Sequence, residues 1–264
     1  MVNDLGGSMQ GEGEDPGPAT AVADEIVAAG GKAIADTSDV ATAVGGQALV
    51  DVAVEQFGRL DILINNAGIM RWAAFPDVSE ADFERHFLVH VGGSFHTTRA
   101  AWPHMAEQGY GRIVMTTSSG IFGLPNNTSY AAAKGAVVGL ARSLATAGAD
   151  HGIKVNLIAP GALTRMGGSG SAPPEMSPDL VAPMAAFLAH EDCPVTGEIY
   201  AAGFGRFARV FLAQTEGYVQ AGSAPTVEDV AQNWTAINDE GEYYVPVDLN
   251  EWSAAFMGHL HPKD

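Results

Sequence analysis

Apolar positions along this chain recur with two periods that alternate from segment to segment. Residues 1–5 read as the tail of a strand, followed by a Gly/Glu/Asp/Pro-rich loop from Gly6 to Pro18. From Thr20 to Ala29 the spacing of Val22, Ile26, Val27 and Ala29 predicts a helix with one apolar side, stopped by Gly30 and Gly31. Lys32–Ala35 reads as a short strand leading to Asp36–Val40. Val44–Phe57, with Leu49, Val50, Val54 and Phe57, returns to the helical period and closes at Gly58. Leu60–Ile64 is a strand ending in Asn65, Asn66, Ala67 and Gly68. Ser79 and Asp82 form a capping box that opens a long helix carrying Phe83, Phe87, Val91 and Phe95, with a kink expected at Pro103.

The second half repeats the scheme. An apolar run from Arg112 ends in the hydroxyl cluster Thr116–Ser119, crosses a Gly/Pro/Asn loop, and enters an Ala-rich helix reaching about Ala149. Ile153–Ile158 is a strand, residues 165–178 a loop, Leu180–Leu188 a helix and Gly197–Ala201 a last strand. Strands alternating with helices predict an α/β fold: a doubly wound parallel sheet covered on both faces. Residues 1–205 form its domain, and 206–264 form a C-terminal extension packed on it, with a helix over Val227–Ile237.

Composition narrows the function. A formal charge of −18 argues against nucleic acid or an anionic membrane surface as the main partner. Cys193 is the single cysteine, which excludes an internal disulfide and a cysteine-rich metal site; no metal site is expected. The start, Met1–Gly7, has neither a basic segment nor a long apolar core, so we expect no signal peptide or membrane span and a cytoplasmic enzyme.

The chemistry concentrates where the hydroxyl cluster meets the Ala-rich helix. Tyr130 and Lys134 are four residues apart and share one helix face. A Ser or Thr, a Tyr and a Lys brought together move a proton to or from an oxygen. The Tyr supplies the proton, the Lys cation makes its phenolate accessible, and the small hydroxyl holds the reacting oxygen. Tyr-x-x-x-Lys on its own also fits an ordinary amphipathic surface pair, and the neighbouring motifs decide between the two.

Those motifs are Asn65–Gly68 after a strand, Tyr130-x-x-x-Lys134, and Val155–Gly161. In this order and at these separations the chain resembles the short-chain dehydrogenase/reductase family, from residue 1 to at least 205. Within the family, Val2–Gly7, Gly93–Phe95, Arg99–Trp102 and Tyr110–Arg112 are most similar to the (3R)-hydroxyacyl-CoA dehydrogenase unit of multifunctional enzymes of peroxisomal type 2. The segment Thr226–Trp234 is similar to the stretch after that unit's last strand.

The resemblance implies a truncated dinucleotide-binding and catalytic domain with a Rossmann-like sheet, acting as an oxidoreductase on a small-molecule secondary alcohol or ketone. It implies Tyr130 as general acid/base, with Lys134 lowering its pKa and bonding the nicotinamide ribose. Asp4 would accept the adenosine ribose hydroxyls and repel a 2′-phosphate, favouring NAD over NADP; a solvated turn carboxylate is the plainer reading. Asp39 and Val40 would flank the adenine. Asn65, Ala67 and Gly68 would pass close under the cofactor, although Asn65 and Asn66 also fit a purely structural role. Pro160, Gly161 and Thr164 would border the nicotinamide, with a helix cap as the other reading of Thr164. Small residues on the Tyr130 helix (Ala131, Ala132, Gly135, Gly139) permit the close packing of a homodimer or homotetramer. Arg71, Arg165 and Arg206 are the cations nameable for CoA phosphates.

Three departures from the family pattern carry expectations of their own. Counting forward from Arg112 gives Ser118 as the reacting hydroxyl, whereas counting back from Tyr130 gives Thr117; strand register favours Ser118. The long helix carries His90 where an Asn supports a water relay, and His90 reads either as a proton relay or as a packed histidine. The first strand and its Gly-rich pyrophosphate turn have no counterpart, since Met1 already lies in the second strand. Gly11/Gly13 sits among acids. Gly203/Gly205 would serve only in a circular permutation, which the turn-rich stretch after it disfavours. The expectation is a truncated chain with two exposed sheet edges, poor stability and weak NAD binding. The competing reading is a catalytically impaired remnant that acts only by subunit association.

Overall fold

A computed structural model describes residues 1–164, 173–220, 222 and 224–260. The chain divides into two compact units, Met1–Arg209 and Val210–Asp264. The first unit carries β1 (Val2–Asn3), α1 (Gly17–Ala28), β2 (Ala35–Asp36), α2 (Ala43–Phe57) and β3 (Ile62–Asn65). Then come α3 (Glu80–His86), a π-helical turn (Phe87–Gly92), α4 (Gly93–Gln108), β4 (Gly111–Thr116) and α5 (Thr128–Ala147). It closes with β5 (Ile153–Gly161), α6 (Ala182–Leu188), β6 (Ile199–Gly203) and β7 (Arg206–Val210), whose last residue begins the second unit.

Local chemistry sets the helix ends. Thr42 accepts the Gly45 N–H at 3.0 Å to start α2, and Gly58, at φ 77°, ends it in a conformation that favours glycine. Ser79 accepts the Asp82 N–H at 3.0 Å and donates its own hydroxyl to the Asp82 carboxylate at 2.7 Å. The expected capping box is therefore closed through the hydroxyl. The single long helix predicted after Ser79 is continuous but changes pitch over Phe87–Gly92, and α4 runs through Pro103 to Gly109. π-turns of this kind are frequent at functional sites.

The central sheet has the order β3-β4-β5-β6-β7, with β3 to β6 parallel. Every residue of β4 is buried, so both its faces are covered, as a parallel sheet between helices requires. α4 and α5 pack on β3, β4 and β5, and α6 packs on β4 and β5. There Val114 and Ile158 share a core with Leu188, Ala189, Cys193 and Ala202.

The sheet is interrupted. β1 and β2 form a separate parallel pair, Val2 opposite Ala35 and Asn3 opposite Asp36. On β3, the Asp61 carbonyl accepts the Arg112 N–H, so alternation turns the N–H and C=O groups of Ile62 and Ile64 away from β4. The two residues are 46% and 49% exposed. The same break changes α1. Its buried residues are Ala19 and Ala23, while Val22, Ile26 and Val27, the predicted apolar side, lie exposed. Two strands of two residues offer a platform only wide enough for the small side chains. The short strand predicted at Lys32–Ala35 moves to Ala35–Asp36 because pairing with Val2–Asn3 fixes it, aided by Asn3 donating to the Asp36 carboxylate at 2.7 Å.

β6 and β7 are joined by Phe204-Gly205, with Phe204 at φ 54° and Gly205 at φ 74°. Gly203–Gly205 is thus a hairpin turn with a strand after it, and the permuted phosphate-binding reading does not apply. The second unit holds β8 (Gln214–Thr215) antiparallel to β9 (Tyr243–Tyr244), α7 (Val227–Gln232), α8 (Trp234–Ile237) and α9 (Leu249–Phe256). The helix predicted over Val227–Ile237 is split at Asn233.

Candidate active site

The end of β4 and the start of α5 meet as the sequence suggested. Tyr130 lies in the first turn of α5 and Lys134 one turn on, and the Lys134 Nζ stands 5.6 Å from the centre of the Tyr130 ring. Burial pushes the Tyr130 phenol above its ordinary value, and the neighbouring Ser118 hydroxyl pulls it back. The Ser118 hydroxyl also accepts the Gly120 N–H at 3.0 Å, which fixes its direction. Thr117 is used differently. Wholly buried, it donates to the backbone carbonyl of Lys134 at 2.9 Å. Alternation at the strand end turns one hydroxyl to the tyrosine and its neighbour into the core.

Lys134 is 3% exposed and donates to the Thr116 carbonyl at 2.7 Å. With no carboxylate partner among the described residues, burial lowers the ammonium to about 7. Burial thus weakens the amine's hold on its proton, and the Tyr130 phenol is shifted by burial and by Ser118.

The wall behind Tyr130 is made of two histidines. His90, 2% exposed, meets the Tyr130 ring edge-on with centres 5.3 Å apart. His86, fully buried, meets it edge-on at 6.0 Å, and the two imidazoles stack at 5.8 Å with planes 10° apart. Their hydrogen bonds assign opposite tautomers. The Arg71 N–H donates to His86 Nε2 at 3.2 Å, so His86 carries its proton on Nδ1 and donates to the Asp82 carbonyl at 2.9 Å. Nε2 of His90 lies 2.9 Å from the Ile69 carbonyl, closer than the Ile69 N–H at 3.4 Å, and donates to that carbonyl, which leaves Nδ1 as a buried acceptor without a partner among the described residues. Burial holds both imidazoles below the ordinary histidine range, His90 the further. His86 escaped the sequence analysis, although its place four residues before His90 put both on one helical face.

The remaining candidates divide by location. Asn65 accepts from Thr97 at 2.7 Å and donates to Thr98 at 3.1 Å, and Asn66 accepts from Thr116 at 2.9 Å. These bonds tie the end of β3 to α4 and β4, so both asparagines have structural work. A Cβ added to Gly68 would fall 2.7 Å from the His90 ring, which brings Ala67-Gly68 directly against that wall. Pro160 and Gly161 end β5, and Thr164 is the last described residue after that strand. Asp4 sits just past β1 and accepts the Gly6 N–H at 2.7 Å; Asp39 accepts the Ala41 N–H at 3.0 Å. Val40 packs beneath Gly93, where an added Cβ would stand 3.1 Å away. Of the phosphate-binding cations considered, Arg71 is held by Asp82 at 2.9 Å and donates to the Gln10 carbonyl at 2.8 Å. Arg206 lies exposed on β7, and Arg165 falls outside the described residues.

The short chain dehydrogenase profile matches residues 9–171. This chain belongs to the short-chain dehydrogenase family. It is 40% identical over 244 residues to a short-chain type dehydrogenase/reductase of Mycobacterium tuberculosis, covering 90% of this chain and 85% of that protein. It superposes on the full-length peroxisomal multifunctional enzyme type 2 of Drosophila melanogaster with a TM-score of 0.79 and 33% identity. That match covers 92% of this chain and 43% of the fly enzyme, so the chain spans under half of that relative. A 7α-hydroxysteroid dehydrogenase in complex with NADH and 7-oxo glycochenodeoxycholic acid matches with a TM-score of 0.68 and 33% identity, over 77% of this chain and 82% of that one. The dehydrogenase is accordingly an oxidoreductase with a Rossmann-like fold, of a family that uses NAD(P) and acts on small molecules. No helix among the described residues is long and apolar enough to cross a membrane.

The residues present fit a dinucleotide unevenly. Where Tyr130 and Lys134 lie together, the His90 Nδ1, without a partner among the described residues, offers an acceptor beside Gly68. The long loop between β1 and α1 carries Gly6, Gly7, Gly11 and Gly13 but sets Glu12, Glu14 and Asp15 among them, and like charge repels phosphate.

Proposed function

We propose that this dehydrogenase transfers hydride between NAD and a secondary alcohol or ketone, a 3-hydroxyacyl-CoA among the candidates. The observation that carries the reading is that Ser118 and Lys134 both lie beside Tyr130: a Cβ on Gly120 would meet the Ser118 hydroxyl at 3.3 Å and the Tyr130 ring at 3.6 Å, and the Lys134 Nζ stands 5.6 Å from the ring centre. In the oxidation direction Ser118 holds the substrate oxygen and Tyr130 takes its proton. NAD, when bound, supplies the hydride acceptor. Lys134 and the phenolate form a charge pair in that state, and the Nδ1 lone pair of His90 accepts a hydrogen bond in the path that returns the proton to solvent. Asp4, past β1, favours NAD over NADP by repelling a 2′-phosphate. Ala67, Gly68, Pro160 and Gly161 line the nicotinamide end, Thr164 bonds the carboxamide, and Asp39 and Val40 flank the adenine.

The test is NAD-dependent oxidation of a panel of secondary alcohols. Turnover that Tyr130→Phe abolishes supports the reading; turnover that survives the substitution sinks it. The interrupted sheet favours a second reading, a catalytically impaired chain that acts by association with further copies. That reading predicts oligomers without turnover, unaffected by Tyr130→Phe.

A further inference from the structure

The reading of Tyr130 as acid and base leaves open what fixes its ring, and His86 answers to that role. Three elements hold this one imidazole. The Arg71 N–H, in the loop that follows Asn65–Gly68, donates to Nε2 at 3.2 Å. Nδ1–H points to the Asp82 carbonyl of α3 at 2.9 Å, and the Ser129 hydroxyl of α5 lies 3.0 Å from the same nitrogen. Ser129 is fully enclosed and immediately precedes Tyr130.

A satisfied core position would need none of this, since a leucine or phenylalanine fills such a space without hydrogen-bond partners. Here the polar bonds tie the Arg71 loop and α3 to α5, the helix that carries Tyr130. The stacked contact then passes the constraint to His90, and both rings meet Tyr130 edge-on, at 79° and 87°. Edge-to-face contacts are directional, so a fixed pair of rings allows the phenol one plane. The π-turn begins directly after His86 and contains His90. In that turn the two side chains face each other in parallel rather than splaying.

We propose that His86 is a positioning residue for Tyr130, locked as its Nδ1–H tautomer, which holds His90 and the tyrosine ring so that the phenol stays on Ser118. The inference rests on the proposed role of Tyr130.

The test compares His86→Phe, which keeps a ring but loses all three polar contacts, with His86→Asn, whose amide can still donate to the Asp82 carbonyl. His86→Phe should lower kcat by about tenfold or more, with the alcohol KM within about twofold, and should move the limb of the pH profile that reports Tyr130. His86→Asn should recover part of that loss and Ser129→Ala should reproduce part of it. A His86→Phe enzyme with lower thermal stability but an unchanged pH limb and kcat per folded molecule overturns the proposal. Nitrogen NMR of the unmodified chain decides independently of turnover. An Nδ1–H signal for His86 at neutral pH is expected, and an Nε2–H tautomer or a charged ring overturns the proposal. If the unmodified chain lacks NAD-dependent turnover, the functional reading fails, and the tautomer alone then decides whether the lock exists.

Discussion

The Thr117 hydroxyl donates to the backbone carbonyl of Lys134 at 2.9 Å, fastening the end of β4 to the helix that carries Tyr130. Its neighbour Ser118 turns the other way, to the tyrosine. Adjacent hydroxyls of equal promise thus have separable duties. Thr117→Val should cost about 0.5–1.5 kcal/mol in urea denaturation, because the hydroxyl's bond is lost while the Lys134 carbonyl keeps its helical donor, and kcat of the folded fraction should hold. Ser118→Ala should cost about 1 kcal/mol or less yet lower kcat by about 10²–10³-fold. The opposite pattern would transfer the reacting role to Thr117.

Lys134 makes stability depend on pH. Its folded value, about 7, is depressed from the ordinary 10.5. Between those values the unfolded chain holds the proton and the folded chain does not. Stability from this residue is therefore fully present above the unfolded value and is lost as pH falls toward 7, a span on the order of 4–5 kcal/mol. Lys134→Met should abolish that rise. Urea curves for the two proteins from pH 7 to pH 10 test it, and parallel curves would contradict the burial argument.

Packing of α2 on α4 depends on a glycine. A Cβ at Gly46 would fall 2.7 Å from the Cβ of His96 and 3.1 Å from the Thr97 nitrogen, atoms that cannot move without the helix. Gly46→Ala should destabilise by about 1–3 kcal/mol. Gly135, on α5, has nothing within 4 Å of an added Cβ, so Gly135→Ala should stabilise by about 0.5–1 kcal/mol. Thermal melts of both variants check the pair.

The open edge of β3 invites pairing between copies. Ile62→Lys or Ile64→Lys places a charge on each half-exposed site and should slow self-association in light scattering by about tenfold. Growth at the unmodified rate would mean that another surface drives association.

Particular residues mark how far the sequence could be read. Tyr130 and Lys134 were legible because a helix fixes the relation of residues four apart, whatever lies around it. Ser118 was nearly legible, since strand alternation depends on register alone, but the short loop before Tyr130 left Thr117 in contention. His86 was hidden because its partners Arg71 and Ser129 are 15 and 43 residues away. The predicted apolar side of α1 failed because Val22, Ile26 and Val27 need a sheet to cover them, and β1 and β2 supply only a narrow one.

By itself the sequence determined the alternation of strands and helices, the family motifs and the Tyr-Lys pair, because each rests on local periodicity. Tertiary structure decided which hydroxyl meets Tyr130, which tautomer each buried histidine holds, and how far Lys134 is stripped of its charge. It also split the sheet in two, through pairing between segments distant in the chain. Those outcomes depend on burial and on hydrogen bonds between distant residues, and no local pattern encodes either.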